Sequence, residues 1–167
     1  MTVAIMLIVV RGNSGSGKST VARRLQELLA PPPTAILQQD HVRRVVYRER
    51  TGEGTERDEM PEVAARHCLH RGHHVVLDGI LDATTYGPML QRSATLAGNA
   101  RFFAFDLTFE ETVRRHATRP QAREFGVEAM AGWHHGWQPL PFVEEERITA
   151  EESVDPIVTR VVGVRHP

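Results

Sequence analysis

Val3 to Val10 is an unbroken apolar run rich in β-branched residues, the pattern of a strand buried on both faces. Beyond a glycine-rich stretch, Val21, Leu25, Leu28 and Leu29 recur at helical spacing, and Pro31, Pro32 and Pro33 stop that helix. Thr34 to Gln38 predicts a second strand leading into Asp40, and His41 to Arg50 an arginine-rich helix. Thr51 to Asp58 holds two glycines and no apolar residue, which predicts a loop. Glu59 to Arg71 predicts a helix closed by Gly72, and His74 to Leu77 a third strand ending at Asp78-Gly79. Tyr86 to Ala97 follows as a helix closed by Gly98, then Arg101 to Leu107 as the fourth strand and Phe109 to Ala117 as its helix. The segment from Arg119 to about Pro141 has no clear period and predicts no regular element. Ile148-Thr149 predicts a short fifth strand and Asp155 to Val162 a final helix. Strands separated by helices imply an α/β three-layer sandwich, with a parallel sheet of about five strands covered on both faces. With no repeat or linker in view, residues 1–167 read as one domain.

The glycine-rich stretch carries the chemistry. Gly12-Asn13-Ser14-Gly15-Ser16-Gly17-Lys18-Ser19 matches G-x-x-x-x-G-K-[ST] at every fixed position, between a buried strand and an amphipathic helix. Such a loop turns tightly at its glycines and points successive N–H groups, including that of Thr20, into one anion-binding concavity. A helix starting near Lys18 adds its positive end. Lys18 is then expected to reach the β- and γ-phosphates of a nucleoside triphosphate, ATP by preference, and the Ser19 hydroxyl to ligate Mg²⁺. Chance coincidence of the four fixed positions in a chain this long happens in roughly 1% of cases or fewer.

Composition sharpens one point. Lys18 is the only lysine among the 20 Lys and Arg residues. The remaining basic positions are all arginine, so lysine is kept where a compact charge on a flexible stem is required. Net charge is -1 and pI about 6.8, which gives no global field to recruit nucleic acid or anionic membrane. The apolar opening is too short to span a bilayer and lacks the basic start of a secretory signal, and Cys68 is alone. A cytoplasmic protein is expected. Oligomeric state is left open.

A GTPase would carry Asn-Lys-x-Asp, whereas neither Asn13 nor Asn99, the two asparagines, precedes a lysine. Motor ATPases place a glutamate after the aspartate that ends the third-strand run, and here Asp78 is followed by Gly79.

The order of phosphate loop, Asp after the second strand, Asp-Gly after the third and arginines after the fourth resembles the nucleoside-monophosphate-kinase-like superfamily of P-loop kinases. Within it the chain is similar to gluconate and shikimate kinases, chloramphenicol phosphotransferase and zeta-toxin-type kinases. The resemblance implies transfer of the γ-phosphoryl group of ATP to a small-molecule hydroxyl bound opposite the loop. Adenylate kinases continue Asp-Gly with an aromatic or aliphatic residue and Pro-Arg, so Ile80-Leu81 argues against a nucleoside monophosphate as acceptor.

Asp40 follows the second strand, at the sheet edge where such folds bind ligands, and is expected to orient the acceptor hydroxyl and take its proton. The competing role is a simple helix cap. On a regular helix Asp40, Arg43, Arg44 and Tyr47 would share one face, making Arg43 a substrate-binding candidate. Asp78 is expected near Ser19, and the resemblance implies that it holds Mg²⁺ through water or contacts substrate. By the same resemblance, Arg115 or Arg114 would stack on adenine. The resemblance also makes residues from about 119 to 141 a lid, in which Arg119, in Arg119-Pro120, would stabilise charge on the transferring group, with Arg123 beside it.

Other features carry less. His67, His70, His73 and His74 lack partners for a metal site and read as an exposed helix end. Trp133-His134-His135 and Trp137 suit either a cover over a ring-bearing substrate or a packing cluster. Phe102, Phe103 and Phe105 read as strand core. The acceptor stays open among sugars, sugar acids, antibiotics, nucleosides and nucleotide sugars. A polynucleotide end kinase using Arg43, Arg44, Arg48 and Arg50, and a non-catalytic ATP-binding module, are the competing functions.

Overall fold

The computed structural model describes residues 4–49 and 56–163. Five parallel strands form one sheet in the order β2-β3-β1-β4-β5. They are β1 (Leu7–Arg11), β2 (Thr34–Gln38), β3 (His74–Gly79), β4 (Ala100–Phe105) and β5 (Glu146–Ile148). The predicted apolar run begins pairing only at Leu7 and extends one residue further, to Arg11. Every residue of β1 is buried, as a central strand covered by helices on both faces requires.

Alternation within the strands divides the core. Ile8, Val10, Val76, Phe103 and Phe105 face α1 (Lys18–Leu29) and α7 (Val154–Val162). Leu7, Val9, Val75, Leu77 and Phe102 face α3 (Glu56–His70) and α4 (Ala83–Ala97). The three phenylalanines are strand core, as their positions predict. Leu28 departs from expectation: it is 49% exposed, and Ala22 completes the buried stripe of α1 in its place.

The region after β2 differs most from its prediction. A single helical turn, α2 (Gln39–His41), runs directly into a π-helical segment (Val42–Val46) that ends before Arg48, at φ 48°. The wider turn gives i→i+5 bonding, so the regular one-face spacing of Asp40, Arg43, Arg44 and Tyr47 does not hold. Helix α3 begins at Glu56, inside the predicted loop; the rest of that loop call lies outside the described residues. Helix α4 starts three residues early because Asp82 caps it, its Oδ1 accepting the Thr85 N–H at 2.9 Å. The lid folds in part, as a 3₁₀ turn (Pro120–Arg123) and α6 (Val127–Trp133), after α5 (Phe109–His116).

His74 is no helix end. It opens β3 fully buried, its Nδ1 accepts the Met6 N–H at 3.2 Å, and its Nε2 has no hydrogen-bond partner among the described residues. Burial lowers its pKa below the usual 6.5, so the folded chain keeps it neutral where the unfolded chain protonates. Stability is therefore expected to fall as pH drops below 6.5, by at most about 1.4 kcal/mol per pH unit from this group. Urea unfolding at pH 7 and pH 5 checks it. His74→Asn, which keeps an acceptor for Met6, should lose less stability between the two pH values than the parent.

Candidate active site

Register brings the ends of three strands abreast. Val10 pairs with Asp78 and Arg11 with Gly79, while Gln38 on the far side also pairs with Asp78. The glycine loop leaves β1 at this edge, with β3 and β4 as the neighbours of β1, at the switch point where open α/β sheets bind ligands. Two of its glycines are obligatory in different ways. Gly15 sits at φ 83°, and a Cβ there would meet the Thr112 carbonyl oxygen at 2.6 Å. Gly17, at φ 112°, is the N-cap of α1 and supplies no side chain to its amides. The first turn of α1 has no acidic residue, so its positive end is open to an anion.

Lys18 folds back into the loop, its Nζ donating to the Asn13 carbonyl at 2.9 Å and reaching Ser16 Oγ at 3.4 Å. Its pKa is lowered to about 8, chiefly by desolvation; Asp78 and Asp40 oppose the shift and Arg119 adds to it. All three lie within electrostatic reach of the ammonium. Ser19 Oγ donates to Asp78 Oδ2 at 2.8 Å, and Gln38 Nε2 contacts the same carboxylate oxygen at 3.1 Å. Asp78 is 3% exposed, and its hydrogen bonds come only from neutral groups. A buried carboxylate against a hydroxyl is a hard oxygen pair that fits Mg²⁺, which takes one or two carboxylates and completes its shell with water and phosphate.

Of the two neighbouring arginines, only Arg115 turns toward the phosphate loop. Arg115 donates to the Ser16 carbonyl at 2.7 Å and the Ala150 carbonyl at 3.1 Å, whereas Arg114 lies exposed against Glu111. Both arginines hold the Glu111 carboxyl at about 2. Arg119 lies beside Gly17, and its pKa is drawn down by burial first and by neighbouring Arg115 and Arg23 next. Crowded cations of this kind are relieved by a polyphosphate. A cavity of about 140 Å³ opens between Gly17, Thr20, Arg115 and Arg119 and the α7 side, Glu152, Val154 and Ile157. Arg123 is not brought in: it is exposed at the end of its turn and makes no hydrogen bond or ion pair among the described residues.

Asp40 is exposed, and its Oδ1 accepts from Arg44 Nε at 2.9 Å. It sits in the first turn of α2 without capping it, since Gln38 holds the cap position. The Arg44 guanidinium also lies 5.1 Å from the Phe125 ring centroid and 5.3 Å from that of Trp133, clasping the segment after β2 to the lid. Arg43 turns away to Glu49, at 2.7 Å, and does not join Asp40.

The sequence patterns do not single out Arg11, Gln38, Asp82 or Glu145. Arg11 ends β1 at 5% exposure, donating through Nη1 to both Glu145 oxygens at 2.8 and 2.9 Å and to the Gln138 carbonyl at 2.9 Å. Its Nε donates to the carbonyl of Leu81, which is held at φ 46°. Glu145 Oε2 also accepts the Leu140 N–H, so one buried ion pair fixes the strap after α6 against the loop entry. An arginine at the end of a strand otherwise apolar was the available signal. Asn13 adds a second tie, exchanging two side-chain hydrogen bonds with the His135 backbone at 2.7 and 2.8 Å. Glu145→Ala, which strands a buried guanidinium, is expected to cost about 3–5 kcal/mol in denaturant unfolding. The Arg11→Met/Glu145→Leu double variant should recover most of it.

A five-stranded parallel sheet in this order, with a phosphate loop at its switch point, defines the P-loop NTPase fold. The chain belongs to the family described as AAA domain, whose model matches residues 7–134. No curated protein matches it in sequence. Among solved structures it is similar to the APS kinase of Mycobacterium tuberculosis in complex with AMPPNP and APS, at 22% identity and TM-score 0.66, covering 97% of this chain and 98% of that one. A gluconokinase from Sinorhizobium meliloti 1021 gives 19% identity and TM-score 0.64 over 97% and 92%. Kti12 of Chaetomium thermophilum in complex with ADP-AlF3 gives 18% and 0.57 over 94% and 97%. At these identities the likeness establishes the fold. Among the described residues no helix is long and apolar enough to cross a membrane.

Proposed function

We propose that this chain is an ATP-dependent kinase that moves the γ-phosphoryl group to a hydroxyl of a small molecule. The observation that supports it most is the Ser19–Asp78 hydroxyl–carboxylate pair, at 2.8 Å, beside a glycine loop into which Lys18 folds. Loop N–H groups and the start of α1 bind the β- and γ-phosphates, and Lys18 exchanges its contact with the Asn13 carbonyl for phosphate oxygen. Ser19 and Asp78 would hold Mg²⁺, which supplies charge neutralisation across the phosphates. Arg119 stabilises charge on the transferring group, and the base is packed in the cavity beside Arg115. Asp40 accepts the proton of the attacking hydroxyl. Arg43 acts indirectly, by shaping the segment that carries Asp40, and Arg123 belongs to the outer lid.

Arg43 and Arg44 are already paired with Glu49 and Asp40, so neither is an open cation for a nucleic-acid backbone, which weakens the polynucleotide reading. The test is an ATP-consumption screen with Mg²⁺ against sugars, antibiotics, nucleosides and short oligonucleotides, with Lys18→Ala as control. Acceptor-dependent ADP release lost in the variant supports the kinase. ATP binding with no turnover on any acceptor turns the reading to a nucleotide-dependent binding module.

A further inference from the structure

A second cavity, of about 110 Å³, lies against the entry of the phosphate loop, on the side away from the Arg115 cavity. Gly12 and Asn13 form one wall, Ile80 and Asp82 after β3 another, residues 104–107 after β4 a third, and Trp137 with Gln138 the roof. The roof is held in place by the Asn13–His135 exchange and by Arg11 bonding the Gln138 carbonyl. It is a built cavity rather than a gap under a loop. Its volume equals about three or four water-sized positions, room for the hydroxyl-bearing end of an acceptor.

The charges around it are unevenly matched. Arg11 is neutralised by Glu145 at 2.8 Å. Arg147, which lies 4.3 Å over the Trp137 ring, is neutralised by Asp106. Asp82 uses Oδ1 to cap α4, and its Oδ2 has no hydrogen-bond partner among the described residues. Among the described residues, one carboxylate oxygen is thus left over, with an amide, an indole, the His135 ring and loop backbone beside it, and the arginines at the wall already carry a carboxylate. An anionic group placed there meets the open oxygen of Asp82, while hydroxyls and ammonium groups find an acceptor in it.

We propose that this cavity is the acceptor subsite and that Asp82 makes it select an uncharged or cationic polyhydroxy compound over an anionic one. This rests on the kinase reading for its role, but the selection by charge is measurable without turnover. The probes are sorbitol, glucamine and gluconate, one linear six-carbon skeleton that is neutral, cationic or anionic. Binding is read from the fluorescence of Trp137 in a Trp133→Phe variant saturated with ADP and Mg²⁺. Glucamine and sorbitol are expected to perturb Trp137 with affinities roughly tenfold or more above gluconate. Asp82→Asn, which keeps the helix cap, should shrink the glucamine–gluconate gap severalfold. Three results overturn the proposal: gluconate binding as well as or better than the others, an Asp82→Asn ranking unchanged, or no probe reaching Trp137 at all. ADP binding in the same samples, and its loss in Lys18→Ala, judges the nucleotide site separately, so a failure here is distinct from a failure of the kinase reading.

Discussion

Lys18→Ala is expected to abolish phosphotransfer and to weaken ATP binding by roughly ten- to a hundredfold. The side chain lies within the concavity and not on its rim, donating to the Asn13 carbonyl. A γ-phosphate offers that ammonium a charged acceptor in a desolvated place, where a charge-assisted bond is at its strongest. Removing it deletes an interaction that grows as charge shifts during transfer, so turnover should fall further than binding. Loop geometry should survive, because the turn is set by Gly15 and Gly17. Thermal unfolding with and without MgATP checks the binding half, since a ligand stabilises by an amount set by its concentration over Kd. The same lysine predicts a pH dependence. With a free-state pKa of about 8, it is charged below that value and must take up a proton to bind phosphate above it. ATP affinity is therefore expected to be flat up to about pH 8 and to fall by as much as tenfold per pH unit beyond it. An alanine variant with unchanged Kd would remove Lys18 from the phosphate site, whereas a wild-type Kd that stays level to pH 9.5 would show only that the lysine keeps its charge there.

The glycine loop was readable because its pattern is local in sequence. Eight consecutive residues make the loop, and the strand before and helix after it announce themselves by periodicity. Asp78 was readable for the related reason that a buried strand ending in a carboxylate must place it at the sheet edge, and register then brings it to Ser19. What stayed hidden depends on contacts between distant segments. The Arg11–Glu145 pair spans 134 residues, and nothing in either neighbourhood specifies the other. His74 looked like one of a run of surface histidines, but its place opposite Thr34 in the register buries it. The segment after β2 failed for a local reason: Val42, Val45 and Val46 are compatible with helix pattern, yet the chain widens into a π turn, which periodicity at 3.6 residues does not see. That widening separates Arg43 from Asp40 and brings Arg44 to it.

Asp40→Asn is expected to leave ATP binding within about twofold and to lower phosphotransfer by roughly 10²- to 10⁴-fold, the range for loss of a positioned general base. The argument turns on what the substitution keeps. Asparagine has the same shape and retains an oxygen for Arg44 Nε, so the clasp of Arg44 on Phe125 and Trp133 should persist and the lid should close as before. Asp40 is among the smaller influences on Lys18, after burial, Asp78 and Arg119, so the phosphate site should barely register its charge. The carboxylate is also exposed and needs no structural partner to be tolerated, which sets the catalytic role apart from a stabilising one. Arg44→Met is the necessary companion. If Asp40 serves only to anchor Arg44 to the lid, both variants should lose lid contact, seen in Trp133 fluorescence, and lose activity together. If Asp40 is the base, Asp40→Asn loses turnover with the Trp133 signal intact, while Arg44→Met changes that signal and keeps a measurable rate. An Asp40→Asn enzyme with full phosphotransfer would leave the hydroxyl's proton to water or to the phosphate itself, and Asp40 would be only the partner of Arg44.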